Sequence, residues 1–341
     1  MLQFLCSLFS SSDDRPPGID DDLIAAAIER VVAGTDKRLK AFGNYRRQLR
    51  DPVEKAVVHV INMIDTLPEP VEISCRTFGI DPRLHAFFAS VDDLQEKVGA
   101  ANSVDAYIKQ ARCDGMSRVY GLLSVQWQEV TRLGTVLQDD RLVREVRQVC
   151  VNFLNHNFLG PSVLLDEALM NAKKSAFDFM IGITLERIIA ERTRRSELEL
   201  QQRLLKRKLM AMKAGNWGLE EMLRPEMSGV KDLGSLEAEI ETVEAELYKL
   251  GASYEVLDRN LQIIKDTLGH PEELLSTRQI EMELDSMNIR AETSTAANIH
   301  RLELTEAYSS IGASRIILPG WFPVEERHAG RENIAAAMHY L

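Results

Sequence analysis

The chain has few of the residues that mark disulfide-bonded or turn-rich proteins. Among its 341 residues are 11 prolines, 19 glycines and four cysteines. Scarce proline and glycine disfavour a fold of many short strands joined by tight turns. Cys6, Cys75, Cys113 and Cys150 are far apart and form no CxxC pair, so neither a disulfide framework nor a zinc knuckle is indicated. A reducing cytoplasm is the simplest expected setting.

Long apolar runs and a net positive charge are also missing. No stretch reaches the roughly 18 uninterrupted apolar residues of a membrane-spanning helix. The net charge of −11 gives no whole-chain attraction to phosphate, so nucleic-acid binding would need a localised basic face. The opening MLQFLCSLF lacks the positive region and cleavage site of a secretory signal. Its Leu2, Leu5 and Phe9 fall on one side and are the candidate contacts if the protein lies on a membrane surface.

Familiar catalytic motifs are absent from the sequence. It contains no GxxxxGK[ST], GxGxxG, GxSxG or HExxH, so NTP hydrolysis, dinucleotide redox chemistry, serine hydrolysis and zinc proteolysis lack their usual parts. Glu325 and His328 form one Glu-x-x-His pair, whereas a di-metal helical bundle needs two such pairs and two further carboxylates. We therefore expect a protein without enzymatic activity, metal or cofactor; an enzyme of unfamiliar type ranks third among the alternatives.

The residues that dominate instead are Leu, Ala, Glu, Arg and Lys, which favour helices. The expected fold is all-α: a helical bundle domain with a projecting long antiparallel coiled-coil hairpin. A flexible segment, 1–17, precedes an N-terminal helical domain, 18–180. The hairpin occupies 181–268, with its tip at about 214–235. The C-terminal segment, 271–341, is expected to be helical and to pack back on the N-terminal domain.

Most of the chain outside the hairpin is interpreted as successive helices, and four of these stretches are named here. Two of them, 106–137 and 141–160, lie in the N-terminal domain, and in the second Leu142, Val146, Val149 and Phe153 recur at helical steps. The other two lie in the C-terminal segment. One opens at the Ser-x-x-Gln capping box at 276–279 and runs through Met287, and the next includes Leu302 and Tyr308.

Two long stretches carry the hairpin prediction. From Ser162 to Lys213 the pattern stays helical for about 52 residues, roughly 78 Å, which is too long to be buried in one compact domain. Residues 235–271 have apolar side chains at steps of four and three from end to end, as a coiled-coil seam requires. These are Leu236, Ile240, Val243, Leu247, Leu250, Tyr254, Leu257, Leu261, Ile264 and Leu268.

Charge placement favours pairing of these two stretches within one chain. Residues 186–213 carry a net charge of +5 that is concentrated at their C-terminal end, and 236–268 carry −5 concentrated at their N-terminal end. An antiparallel hairpin brings these ends together, whereas a parallel self-pair of the second stretch would bring its acidic ends together. The basic run RLLKRKLMAMK is accordingly interpreted as a hairpin face neutralised by the acidic arm or by solvent, with nucleic acid and anionic lipid as the less favoured interpretations.

The segment between the arms is the first candidate partner-binding surface. It carries Trp217, Leu219, Met222, Leu223 and Met227. Tryptophan is common at binding hot spots, and methionine adapts to varied shapes. The alternative is that these residues close the end of the hairpin on themselves.

Trp321 and Phe322, in IILPGWFPVEER, are the second candidates. This segment is interpreted either as a docking loop folded back on the N-terminal domain or as an exposed recognition peptide.

Together these features predict a helical interaction or assembly protein, a scaffold or adaptor, that presents its hairpin to a protein partner. Homo-oligomers are compatible with the sequence. The runner-up is a peripheral membrane-acting protein of a membrane-remodelling or pore-forming kind, which uses the N-terminal segment or the apolar stretch 177–189.

Overall fold

The computed structural model describes residues 20–99, 104, 107–108, 117–138, 141–213, 233–249, 256–294, 298–312 and 314–327. Its α-helices are α1 (Asp21–Gly34), α2 (Tyr45–Asp65), α3 (Cys75–Phe78), α4 (Pro82–Phe87), α5 (Val91–Leu94), α6 (Leu165–Lys213), α7 (Leu233–Lys249), α8 (Val256–Leu268) and α9 (Pro271–Leu274). Its strands are β1 (Val71–Glu72), β2 (Arg118–Gln138), β3 (Arg141–Ser162), β4 (Ser276–Asp285), β5 (Ile299–Tyr308) and β6 (Ser314–Pro323).

The all-α prediction is wrong, because the described residues include a six-stranded sheet and the fold is mixed. The four stretches interpreted as helices supply β2, β3, β4 and β5. In β4 and β5 the buried apolar residues alternate along the strand: Met282 and Leu284 in one, Leu302 and Leu304 in the other. This period of two is the strand signal, but in 276–287 the Ser-x-x-Gln box and the helical spacing of Ile280, Leu284 and Met287 favoured a helix.

The sheet order is β3-β2-β6-β5-β4, with antiparallel neighbours throughout, and β1 adds a short parallel pairing to β6. Strands β2 and β3 form a hairpin of more than twenty residues a side, of which only 118–125 also pair with β6. The segment that follows β4 joins the two edge strands. The N–H of Val151 donates to the carbonyl of Asn288, and the N–H of Arg290 donates to that of Val149.

Apolar side chains cover both faces of this sheet. On one face the strands pack against α4, α5 and the turn that follows, in a cluster with Phe87, Phe88, Phe158, Leu123 and Leu318 among its members. On the other face a smaller cluster joins the sheet to the C-terminal part of α2 and the N-terminal part of α6. It contains Met63, Ile64, Leu122, Ala172 and Ile317.

The chain divides into two compact units. The sheet unit contains residues 1–24, 54–180 and 270–341, and the coil unit contains 25–53 and 181–269. Three helices, α1, α2 and α6, cross from the range of one unit into that of the other. In the described part of the chain, no helix is both long and apolar enough to span a membrane.

Candidate protein-interaction surface

The coil unit pairs α6 with α7 along an apolar seam. On α7 the side chains of Leu236, Ile240 and Val243 are buried. On α6 the residues that recur at steps of three and four, among them Leu198 and Leu205, are half-buried. Burial of the aliphatic groups on this seam supplies most of the stabilisation of the pair.

Ion pairs across the seam run in the antiparallel sense. Lys213 Nζ lies 2.8 Å from Glu237 Oε1, and Lys206 Nζ lies 2.7 Å from Glu244 Oε1. Nearer the start of the arm, a guanidinium nitrogen of Arg194 lies 3.4 Å from Glu246. All these side chains are about half exposed, so solvent screens each pair and each contributes little to stability. The pairs therefore fix direction and register more than they add stability.

A buried carboxylate anchors the opposite end of the coil unit. Asp36, only 6% exposed, accepts hydrogen bonds from Arg38, from Arg192 at 2.6 Å and from Asn260 at 2.8 Å. The hydrogen bond from Arg38 is the main cause that holds the pKa of Asp36 at about 2, against the opposing effect of burial. The Asp36 carboxylate, which precedes α2, therefore links Arg192 on α6 to Asn260 on α8.

A shallow cleft beside this anchor is lined by Glu191, Arg192, Arg195, Val256, Arg259 and Asn260. Its guanidinium groups are already paired with carboxylates of the chain. Arg259 lies 2.6 Å from Glu191, Arg195 Nε lies 2.9 Å from Glu199, and Arg192 binds Asp36. The cleft is therefore a structural charge network, and its arginines are not positioned for a bound anion.

The side of α6 opposite its seam positions carries large apolar residues in solvent. Ile189, Leu200, Leu204 and Met210 are 51%, 53%, 55% and 69% exposed. They lie about half a turn from the seam positions of α6. Leu200 and Leu204 are one turn apart on this side, and Ile189 and Met210 lie about 16 Å and about 9 Å further along the helix. An apolar stripe of this kind is a candidate interaction site. We call these four residues the outer patch.

The sequence contains a signal for the outer patch beside the stronger signal of the seam. A second set of positions at steps of four and three runs through Ile189, Thr193, Ser196, Leu200, Arg203, Arg207 and Met210. This second set mixes apolar, small and basic residues, so its pattern is weaker than that of the seam and is harder to recognise in the sequence.

Five of the seven residues that the sequence proposed for partner binding lie outside the part of the chain that the structure describes. Trp217, Leu219, Met222, Leu223 and Met227 lie outside the described residues, as do the candidate membrane contacts Leu2, Leu5 and Phe9.

Trp321 and Phe322 are placed, and they lie in β6, a strand with neighbours on both sides. The Phe322 ring is fully buried and fills the space above Gly99, so it is not available to a partner in this conformation. Trp321 is half-buried, with the Arg118 guanidinium 4.6 Å from its ring centroid.

Two polar side chains of the sheet unit, Glu306 and Cys75, have shifted pKa values. The Glu306 side chain is almost fully buried and accepts hydrogen bonds from Trp127 Nε1 at 2.9 Å and from Arg278 Nε at 2.7 Å. Burial opposes its ionisation, but these hydrogen bonds hold the pKa of Glu306 below its usual value. Burial, with the nearby Glu326 carboxylate, raises the pKa of the Cys75 thiol to about 11. That thiol is protonated at neutral pH and is a poor nucleophile.

Among the described residues, no group of three or more His, Cys, Asp or Glu side chains is arranged to hold a metal ion. Of the Glu-x-x-His pair, Glu325 is described and His328 is not. Comparison with known protein families, with curated proteins and with solved structures finds no match to this chain.

Proposed function

We propose that this chain is a non-enzymatic interaction protein that presents its antiparallel coil to a protein partner. The observation that carries the proposal is the outer patch of Ile189, Leu200, Leu204 and Met210, which is exposed on a helix of 49 residues. A helix of that length spans about 73 Å. Apolar side chains exposed to water along it are unfavourable, and a bound partner that covers them would remove that cost.

The charges around the patch support a protein partner over nucleic acid or lipid. Three of the basic side chains on α6, Arg194, Lys206 and Lys213, are engaged with glutamates of α7. Nucleic-acid binding gains its affinity from many phosphate contacts by unpaired Lys and Arg. The exposed remainder is a mixed apolar and basic stripe, and stripes of that composition suit packing against another helix.

The test is affinity capture from native cells with the tagged full chain and two variants. Leu200→Glu with Leu204→Glu places two charges in the outer patch, and Ile80→Glu places one at a site in the sheet unit that is 76% exposed. The double variant is expected to lose the proteins that wild type captures, while Ile80→Glu retains them. Circular dichroism confirms that helix content is equal. Capture that is unchanged in the double variant would overturn the proposed function.

A further inference from the structure

The outer side of α7 differs from that of α6 in both size and charge. Its positions away from the seam are Gly234, Ala238, Glu241, Ala245 and Tyr248, at steps of four and three. All five are exposed, and Tyr248 is 88% exposed. Four of them are small or acidic, whereas the part of the α6 stripe from Leu200 to Met210 is large and basic.

The two stripes are complementary when placed level with one another. The ion pairs of Lys213 with Glu237 and Lys206 with Glu244 fix the register of the antiparallel arms. The same register, applied between the outer side of α6 in one copy and the outer side of α7 in another, sets three pairs opposite one another. They are Leu200 with Tyr248, Leu204 with Ala245, and Arg207 with Glu241.

Each pair has a physical reason to form. Leucine packs on tyrosine, and leucine fills the groove that alanine leaves between helix turns, which permits the 8–10 Å approach of packed helices. Arg207 and Glu241 are both exposed, and in the described part of the chain neither forms an ion pair with another side chain. Their charges are therefore available to a second molecule.

We propose that the partner of the outer patch is a second copy of this chain, bound through the outer side of its α7. This inference rests on the proposed function and names the partner of the same surface. The contact is heterologous, so each copy that uses its α6 stripe still offers its α7 stripe. Association therefore continues past the dimer, into a closed ring or an open row.

Charge reversal tests the pairing in the purified full chain. Sedimentation velocity at rising micromolar concentration is expected to show wild type growing beyond the monomer. Arg207→Glu and Glu241→Arg should each weaken self-association about tenfold, because each variant brings like charges together. The equimolar mixture of the two variants restores assembly, because the glutamate introduced in one variant then faces the arginine introduced in the other. A mixture no better than its components overturns the proposal.

Further variants test the contribution of the outer patch and the register of the contact. Leu200→Glu with Leu204→Glu is expected to weaken self-association about a hundredfold or more, and Ile80→Glu to leave it unchanged. Leu204→Cys with Ala245→Cys, oxidised during assembly, should give a ladder of linked chains that neither single variant gives. Absence of the ladder overturns the register.

Failure of this inference is distinguishable from failure of the proposed function. If the purified chain stays monomeric while the double leucine variant still loses its captured proteins, the partner is a different protein and the proposed function stands. If capture is also unchanged, both proposals fail.

Discussion

At position 156 a histidine ring lies against Phe88, with ring centroids 4.8 Å apart, and its Nε2 lies 2.7 Å from the carbonyl oxygen of Phe87. A carbonyl only accepts, so Nε2 carries the hydrogen in this contact. The buried Nδ1 has no hydrogen-bond partner in the described structure. Burial first, and then the charge of Lys97, lower the pKa of His156 to about 4, while Asp93 and the Phe87 contact act in the other direction.

This histidine makes stability depend on pH in a definite window. Its pKa is lower in the folded chain than in the unfolded one, so the unfolded state binds more protons and stability falls as pH falls from about 6.5 to about 4. We expect a loss of about 1 kcal/mol in the free energy of unfolding between about pH 7 and pH 5, after allowance for the partial exposure of the ring. Urea titration at the two pH values measures it.

His156→Gln is the control, because Gln offers an N–H to Phe87 and does not titrate. The variant should show little change between the same pH values. Asp36 and Glu29, whose pKa values are lowered to about 2, contribute stability above their ordinary pKa that is lost only as pH falls below about 4.5. An equal pH response in wild type and His156→Gln would refute the assignment to His156.

At the scale of elements, β2 and β3 show what a local sequence pattern can conceal. Val149, Val151 and Phe153 alternate as a strand requires, yet Leu142, Val146, Val149 and Phe153 also fit a helix. The same valines fit both the strand and the helix interpretation. Residues 126–138 of β2 do not decide between the two, because among the described strands they pair with β3 alone. The strand conformation is decided by the pairing of β2 with β6. Strand β6 lies nearly two hundred residues downstream, so a local stretch of sequence does not include it.

Near the start of β2, where it pairs with the end of β3, Gly121 leaves room for a neighbouring ring. A Cβ at Gly121 would lie 2.5 Å from a ring carbon of Phe158 and 2.9 Å from the carbonyl oxygen of Leu159. Gly121→Ala therefore forces the fully buried Phe158 ring to move, and we expect it to lower the free energy of unfolding by about 1–3 kcal/mol. Chemical denaturation followed by near-UV circular dichroism measures the loss.

Gly79→Ala is the matched substitution in the same unit, because nothing lies within 4 Å of a Cβ there and its φ is −82°. That variant should stay within about 0.5 kcal/mol of wild type. If the two alanines cost the same, the close approach of Phe158 is not what makes position 121 sensitive.

The helical elements are easier to anticipate from sequence. The spacing predicts a helix over 162–213 and α6 runs over Leu165–Lys213, while the second arm is predicted to end at 268, where α8 ends. Long amphipathic helices can be predicted from local sequence, because their hydrogen bonds and the spacing of their apolar stripe involve residues only a few positions apart. The exposed stripe beside the seam escapes such a prediction, because a pattern of spacing does not tell which of two faces meets a neighbour.

For the molecule as a whole, the two compact units are not consecutive in the sequence. Residues 25–53 belong with 181–269, and 270–341 belong with 54–180. A division into consecutive segments follows composition, whereas the compact units follow packing between segments far apart in the chain.

Salt dependence separates the two contributions to self-association. The proposed pair of Arg207 with Glu241 lies at exposed positions, and salt screens exposed pairs strongly. The proposed leucine contacts do not depend on salt in this way. We expect self-association to weaken about threefold to tenfold between about 50 mM and 500 mM NaCl, and not to disappear. Sedimentation velocity of wild type and of Arg207→Glu measures it; in the variant, salt should instead strengthen the residual association, because it screens the repulsion between the introduced glutamate and Glu241. Wild type that dissociates completely in salt would assign the contact to charge alone.

The sequence by itself determined the long helices, the seam and the opposite charges of its two arms, because helix hydrogen bonds and helix faces depend on residues a few positions apart. Only the tertiary structure decided that 118–162 and 276–323 form a sheet, that Phe322 is buried, and that Leu200 and Leu204 remain in solvent. Strand pairing, and the burial or exposure of an apolar side chain, depend on which distant segments meet, and local spacing does not encode that.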